Sequence, residues 1–432
     1  MFNEGVDVPT IDTVLFLRPT ESVTIFLQQL GRGLRKAKNK EYLTVLDFVG
    51  HSRAEFNYVD RFRAMMGKTS MSVKEEIEHG FPHMPFGCTI ALEEKAREEI
   101  LNNIRNFLNR FNKNKIINAI TNFKQNYDVS LTLANFIRLN NVSIERIYKY
   151  NTWNELCRIA GVTDETSNFT SELNRAILKK WLSVDSFSYF SFIKSLVDKN
   201  FKINVNQFSF IERKKMLMFY YDIFQDAGKY ENLQDMFDEL SKDKVFIKEL
   251  SEVIPLLMDR CDVMELPDNS SIGLRNPLML HGTYTKDEIF VAIETSTLER
   301  KSPCREGVDR NKELKTEAMF VDIIKDREEG SSTNYNDFAK SREFFNWETQ
   351  STVRQDSPTG RNYINKVNTM LLFVRKQSDH PDDKSRTLGF TYLGEVNLVE
   401  YKGNKPIEIL WKLKNKMPAS VYGYAGKFSA IG

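Results

Sequence analysis

The residues with the clearest chemical potential lie near the start, in Gln28-Gln29-Leu30-Gly31-Arg32-Gly33-Leu34-Arg35. On a helix, Arg32 and Arg35 are three apart and project from one face, about one turn from each other. Arginine suits phosphate because its planar fork donates hydrogen bonds in pairs and keeps its charge. The alternative is a basic helix end on a surface. A second group lies far downstream, where Tyr335, Trp347 and Tyr363 stand near polar turns. Between them Ser357-Pro-Thr359-Gly360-Arg361 combines small hydroxyls, a flexible glycine and an arginine. Backbone N–H groups and Arg361 in such a loop would suit a DNA phosphate. The aromatic rings would stack on an extruded base, or else fill a core.

The elements that must position these groups follow from pattern. Val14–Leu17 reads as a buried parallel strand, followed by a helix near Val23–Leu34 and a strand near Tyr42–Val49. His51 to Gly67 continues as an amphipathic helix. Gly80, Pro82, Pro85 and Gly87 mark Val73–Gly87 as a linker. Helical periodicity then dominates to about Met264, with Ser130 as an N-cap and a weak helix-turn-helix candidate in Leu131–Gly161. The aromatic stripes there have core spacing, and packing explains them better than nucleic-acid stacking. Thr285-Lys-Asp-Glu288 is a capping box. Strands are predicted at Ala318–Ile324, Met370–Arg375, Leu388–Leu393, Glu395–Tyr401 and Ile407–Leu413. Arg327–Asn334 and Gln377–Arg386 read as exposed loops. The expected fold is therefore multidomain. A partial α/β lobe spans 1–70, an all-α connector 71–270 and a mainly β domain 271–432.

The bulk properties narrow the chemistry. A net charge of +2 over 432 residues requires any nucleic-acid surface to be a local patch. Lys340–Lys376 supplies one, with Lys340, Arg342, Arg354, Arg361, Lys366, Arg375 and Lys376 against few acids. Cys88, Cys157, Cys261 and Cys304 have no paired or metal-ligand spacing and read as reduced thiols in a cytoplasmic protein, so no metal site is expected. The sequence has no signal peptide and no bilayer-length apolar stretch, and no membrane partner is expected. It contains no G-x-x-x-x-G-K-[ST] phosphate loop and no convincing nuclease arrangement.

Phe2-Asn3-Glu4-Gly5-Val6-Asp7-Val8-Pro9 followed by the Gln28–Arg35 run resembles motifs V and VI of superfamily 2 helicases and translocases. That resemblance implies a RecA-like lobe in which Arg32 and Arg35 contact ATP phosphates. It makes Gln28 the polar start of their helix, and Gly5 and Asp7 the motif V turn and its carboxylate. ATP and Mg2+ would then be bound only in a full-length parent, with no cofactor for this chain alone. Because the sequence opens inside motif V, it is expected to be the C-terminal part of a longer protein.

Gly282-Thr-Tyr-Thr-Lys-Asp-Glu-Ile289, Arg305-Glu-Gly-Val308, Phe345-Asn-Trp-Glu-Thr-Gln350 and Ser357–Ile364 resemble a C-terminal domain appended to bacterial superfamily 2 helicases. The combination resembles staphylococcal-type modification-dependent (type IV) restriction enzymes, which act in phage defence. The resemblance implies an SRA/PUA-like curved barrel that flips a methylated or hydroxymethylated cytosine of double-stranded DNA into a pocket. Upstream helicase and nuclease domains would be partners, and a homodimer could form through the parent nuclease. Trp347, Tyr363, Tyr335, Ser357, Thr359, Gly360 and Arg361 are the pocket or DNA-contact candidates. Glu306 or Asp337 would accept from the exocyclic amine of cytosine. Two rival readings remain: a general helicase tail whose last domain is an interaction or structural module, and an RNA-directed helicase tail.

Overall fold

The computed structural model describes residues 9–17, 23–35, 37, 40, 42–47, 58–66, 73–82, 84, 88–109, 112–126, 129–140, 142–305, 307–324, 337–381 and 383–426. Gly5, Asp7, Glu306 and Tyr335 lie outside them. By internal contacts the chain forms two compact units. One comprises 1–147 with 159–162, the other 148–158 with 163–432.

The first unit opens with a strand–helix–strand element: β1 (Thr13–Phe16), α1 (Val23–Gly33) and β2 (Thr44–Asp47). β1 and β2 pair in parallel, Thr13 against Thr44 through Phe16 against Asp47. A parallel pair needs a crossover of this kind. Val14, Phe16 and Phe26 form its small core, and the Arg61 guanidinium covers that core, 3.9 Å from the Phe26 ring centroid. The strand is not buried on both faces as its apolar run predicts, because Leu15 and Leu46 are about half exposed.

Helices α2 (Tyr58–Met65), α3 (Val73–Glu78) and α4 (Glu94–Asn109) share a second core. Here the predicted linker is wrong. Val73, Ile77 and Phe81 recur every four residues, and all three are buried. Gly80, at φ +75°, lies just beyond α3. Four further helices follow: α5 (Lys113–Thr121), α6 (Phe123–Asn126), α7 (Leu133–Asn140) and α8 (Ile144–Tyr148). Thr132, not Ser130, caps α7, its Oγ1 accepting from Asn135 N at 3.1 Å.

The second unit holds α9 (Trp153–Ile159), α10 (Thr170–Lys179), α11 (Phe187–Val197), α12 (Phe210–Phe224), α13 (Leu233–Leu240) and α14 (Lys244–Met258). Trp181, Phe190, Met218 and Phe219 are fully buried, as core spacing implies, while Phe187 and Phe210 remain exposed. β3 (Thr283–Tyr284) and α15 (Lys286–Ala292) come next, and both halves of the Thr285–Glu288 capping box form.

The remaining elements are β4 (Val308–Asn311), β5 (Thr316–Asp322), β6 (Phe338–Ala339), β7 (Phe344–Glu348), α16 (Pro358–Ile364), β8 (Thr369–Arg375), β9 (Asp379–His380), β10 (Asp383–Thr387), β11 (Phe390–Lys402), β12 (Glu408–Leu413) and α17 (Ala419–Ala425). The main sheet has the order β4-β5-β8-β11-β12-β7-β6, and β3 pairs with β11. β5 and β8 are parallel, so the sheet is mixed. Among the described residues its pairings run as an open path, with no link between β4 and β6.

Two predicted strands, Leu388–Leu393 and Glu395–Tyr401, are one continuous β11. Its register shifts near Gly394, which sits at φ +86°. Gln377–Arg386, predicted as loop, contains the antiparallel β9–β10 pair, and Arg386 is buried. On β12, Ile409, Trp411 and Leu413 are buried and Lys412 is exposed, as alternation predicts, while Leu410 on the opposite face is buried as well.

Polar side chains buried among the helices tie 163–258 to the segment that begins the sheet region. Asp222 on α12 accepts from Tyr189 Oη at 2.6 Å and Trp181 Nε1 at 2.8 Å. Lys180 reaches Asp287 at 2.8 Å, and Lys214 donates to the Ala292 carbonyl at 2.8 Å. Burial pushes the carboxyls of Asp222 and its neighbour Glu288 upward, Glu288 strongly, because a charge there has lost its water.

Candidate functional site

In the first unit, α1 delivers Arg32 to its last turn, while Arg35 lies two residues beyond the helix end. The same-face argument therefore holds for Gln28 and Arg32, four apart, and not strictly for Arg35. Gln28 is in mid-helix and exposed, rather than at the helix start. Gly33 is where the run needs glycine. A Cβ there would stand 2.8 Å from the Leu43 side chain and 3.2 Å from that of Val14, so its absence lets α1 close against β1 and the residue that leads into β2. A lysine missed in the sequence, Lys40, donates to the carbonyls of Gly33, Arg35 (3.0 Å) and Pro9 (3.3 Å). It fixes the end of α1 with a cation where the helix dipole favours one. Motif V cannot be placed beside these residues, since Gly5 and Asp7 are outside the described chain.

In the second unit, Trp347 on β7 and Tyr363 on α16 come together, their rings edge-to-face at 5.4 Å. Trp411 on β12 joins them, 6.4 Å from Trp347. All three belong to the sheet core; Trp347 is 5% exposed and Tyr363 4%. The pairing Ile409–Trp347 and Trp411–Phe345 across β12 and β7 brings the two tryptophans close.

Ser357–Arg361 is not a loop. Ser357 caps α16, accepting from Gly360 N at 3.1 Å and donating to the Arg354 carbonyl at 2.6 Å. Arg361 N bonds the Ser357 carbonyl at 2.9 Å. Two of the backbone donors expected for a phosphate, those of Gly360 and Arg361, are thus spent on Ser357, with Pro358 at the first helical position as helix starts favour. Thr359 is half-buried, and Arg361 is exposed on α16. Asp337 accepts from Glu348 N at 2.9 Å, beside β6. Of the basic stretch, Arg342 donates to the Met417 carbonyl and Arg375 pairs with Asp322, while Lys340, Arg354, Arg361, Lys366 and Lys376 are exposed.

One open cavity of about 380 Å³ adjoins the aromatic cluster, within the usual size of small-ligand sites. Tyr363 and Trp411 line it, and Trp347 touches both rings without lining it. Trp411 Nε1 is buried with no hydrogen-bond partner among the described residues, and such a donor is costly to leave unmade. Lys315 and Lys366 also line the cavity; both are exposed and adopt φ of +45° and +55°. Non-glycine residues in that region carry strain that recurs at ligand sites.

Beside the cavity, Arg310 on β4 faces Glu317 on β5 as a cross-strand pair, Nη2 donating to Oε2 at 3.0 Å and Nε 2.8 Å from Oε1. Burial works against the Arg310 charge. The Glu317 carboxylate and the nearby Tyr363 hydroxyl nevertheless hold the guanidinium above its ordinary range. Asn368, in the cavity wall, donates Nδ2 to Glu317 Oε1 at 2.6 Å. None of Trp411, Asn368, Arg310 or Glu317 is conspicuous in sequence. Only the period-two pattern of Ile407–Leu413 pointed at Trp411, and it pointed to burial. The described residues contain no His, Cys, Asp or Glu cluster able to hold a metal ion, and none of the four cysteines forms a disulfide. No helix among them is long and apolar enough to cross a membrane.

Residues 278–425 match a family described as a domain of unknown function (DUF3427). The chain is also 44% identical over 52 residues to a Saccharomyces cerevisiae protein described as "Putative ATP-dependent helicase IRC3". That likeness covers 12% of this chain and 8% of the yeast protein. The similarity suggests a helicase-related protein that joins helical segments to a mixed-sheet domain.

Proposed function

We propose that this chain is the C-terminal portion of an ATP-dependent, modification-dependent DNA restriction endonuclease or translocase. Its C-terminal domain would hold a methylated or hydroxymethylated cytosine flipped out of duplex DNA. The observation that carries the reading is the parallel β1–α1–β2 element with Arg32 in the last turn of α1 and Arg35 two residues beyond it, taken together with the helicase likeness. Two guanidiniums there suit phosphate charge, and an arginine finger contributes about 10³–10⁵ in rate when its site is complete. ATP with Mg2+ would bind only in the assembled motor, where it supplies the phosphoryl transfer that drives movement. Upstream helicase and nuclease domains are the proposed partners, and a homodimer through the nuclease is part of the same proposal.

For the reader role, the support is the cavity beside Tyr363 and Trp411 and the exposed lysines at its edge. Flipping a base costs a few kcal/mol, which an aromatic-walled site can offset by stacking. The full chain should bind a duplex with 5-methyl- or 5-hydroxymethylcytosine at least about tenfold tighter than the same unmodified duplex at matched salt. A preference of that size corresponds to roughly 1.4 kcal/mol. Equal, salt-sensitive binding to all three would remove the reader role. The burial of Trp347 and Tyr363 in the sheet core favours a second reading, a structural or interaction module. On that reading the three duplexes bind alike.

A further inference from the structure

The amide of Asn368 can be oriented from hydrogen-bond chemistry alone. A carboxylate has only acceptor sites, and Glu317 is fully buried in the grip of the Arg310 fork. The Asn368 atom 2.6 Å from Glu317 Oε1 must therefore be its NH₂ group, which leaves Oδ1 as the group not engaged. Asn368 lines the cavity, and its Oδ1 accepts no hydrogen bond from the described residues.

We propose that Asn368 is the specificity-determining residue of this cavity, its carbonyl presented by Glu317 and Arg310 to the exocyclic amine of an amino-heterocycle. Glu317 and Arg310 are positioning residues: Glu317 fixes which face of the amide is available, and Arg310 fixes Glu317. An acceptor in that position matches the amine of a cytosine-type edge. It mismatches the carbonyl of a thymine-type edge, where the amide oxygen would meet another acceptor. Lys315 and Lys366 at the mouth suit the phosphate that accompanies such a base. The assignment rests on the base-binding reading of this domain and adds the chemical class that its wall selects.

Two probes isolate the edge, because 5-methyl-dCMP and dTMP share their 5-methyl group and their phosphate. Titration of the full chain should show 5-methyl-dCMP bound at least about tenfold tighter than dTMP, because the thymine-type edge leaves the amide oxygen unpaired against another acceptor. Glu317→Gln, whose own amide can donate to Asn368 Oδ1 and so let the Asn368 amide turn over, should bring the ratio to within about threefold. Asn368→Ala, at a half-buried position, should do the same; it also removes a hydrogen bond that the buried Glu317 carboxylate accepts, so both mononucleotides are titrated well below the variant's own thermal midpoint. It keeps the test open if Glu317→Gln fails to fold. Absence of binding by either mononucleotide, or an unchanged ratio in Asn368→Ala, overturns the assignment.

Failure of the wider reading looks different. There, wild-type chain discriminates the two mononucleotides and Asn368→Ala erases the difference, yet modified and unmodified duplexes bind equally. Conversely, a duplex preference that survives alongside an unchanged mononucleotide ratio keeps the reader and removes Asn368 from its specificity.

Discussion

The β1–α1–β2 element and the helix-and-sheet unit of 163–426 spend their apolar and charged residues in opposite ways. The first has three buried core side chains, Val14, Phe16 and Phe26, and leaves Leu15, Ile25 and Leu46 about half exposed and Leu17 mostly so. Its buried charge, Arg61, sits over aromatic faces and pairs with Asp47 at 2.8 Å. The second buries large aromatics fully and also encloses Asp222, Glu249, Glu288 and Glu317 at 3% exposure or less. Few contacts hold the one; many, including costly buried carboxyls, hold the other. The difference predicts that they respond to substitution independently and through different physics.

The largest effect should come from Asp222→Ala, which orphans the Tyr189 hydroxyl, the Trp181 indole N–H and part of the Lys180 charge in a dry site. Breaking a buried polar network from one side costs about 3–5 kcal/mol. Chemical denaturation should show that loss in the main transition and none in hydrogen exchange of β1 and β2. Phe26→Ala is the mirror experiment. Truncating a buried phenylalanine costs about 3–5 kcal/mol, and the β1–α1–β2 core has little else to lose. Exchange protection in β1, α1 and β2 should collapse while the main transition stays put. If each variant moves both readouts, the contrast between the two regions fails.

A pH dependence sharpens the same contrast. Glu249 on α14 accepts from Tyr148 Oη (2.7 Å), Trp153 N (2.6 Å) and Asn154 N (2.7 Å). Burial nevertheless outweighs those three donors and raises its carboxyl from 4.5 to about 7. A carboxyl raised in the fold means that the folded chain binds more protons than the unfolded one. Stability is then greatest below about pH 4.5 and falls as pH rises through about 7. One pKa unit is worth about 1.4 kcal/mol, so the group contributes a decline on the order of 3 kcal/mol across that window. Glu249→Gln should flatten this part of the stability–pH curve. A slope unchanged in the variant would assign it to the Asp222–Glu288 pair, whose carboxyls are raised in the same direction.

Periodicity carried more of the fold than of the site. The Thr285–Glu288 capping box, the β12 alternation and the order strand, helix, strand at the start were legible because each is local and repeats at its own period. Val73–Glu78 was hidden by its neighbouring glycine and prolines, although Val73, Ile77 and Phe81 spelled a helix face. The mixed sheet was not legible, since the parallel β5–β8 pairing joins residues about fifty apart and no local signal encodes it. The candidate site was half legible. Tyr363 lines the cavity as an aromatic candidate should, and Trp347 lies behind it. Asn368, Glu317 and Arg310 were out of reach because their relationship exists only across β4, β5 and the start of β8. A single asparagine before a strand looks like any other.

The smallest expected effect bears on the Ser357–Arg361 turn, where sequence and geometry part most clearly. A ligand-binding loop would keep its hydroxyls and N–H groups for the ligand, whereas here the Ser357 hydroxyl accepts from the first turn of α16 and donates to the Arg354 carbonyl before it. Gly360 is needed for the same reason. A Cβ there would lie 2.0 Å from the Arg354 carbonyl oxygen, so only glycine lets the helix begin against that chain segment. Ser357→Ala should therefore cost about 1 kcal/mol, the usual value of a lost N-cap, with Ser357→Asp restoring most of it. Arg361→Ala, on the exposed face, should stay within about 0.5 kcal/mol. The decisive measurement pairs stability with DNA affinity. If Ser357→Ala leaves the denaturation midpoint unmoved and weakens DNA binding, the turn is a ligand loop after all. If the midpoint falls and the amino-to-keto preference of the cavity survives, the serine's task is to seat α16, and through it Tyr363, in the wall.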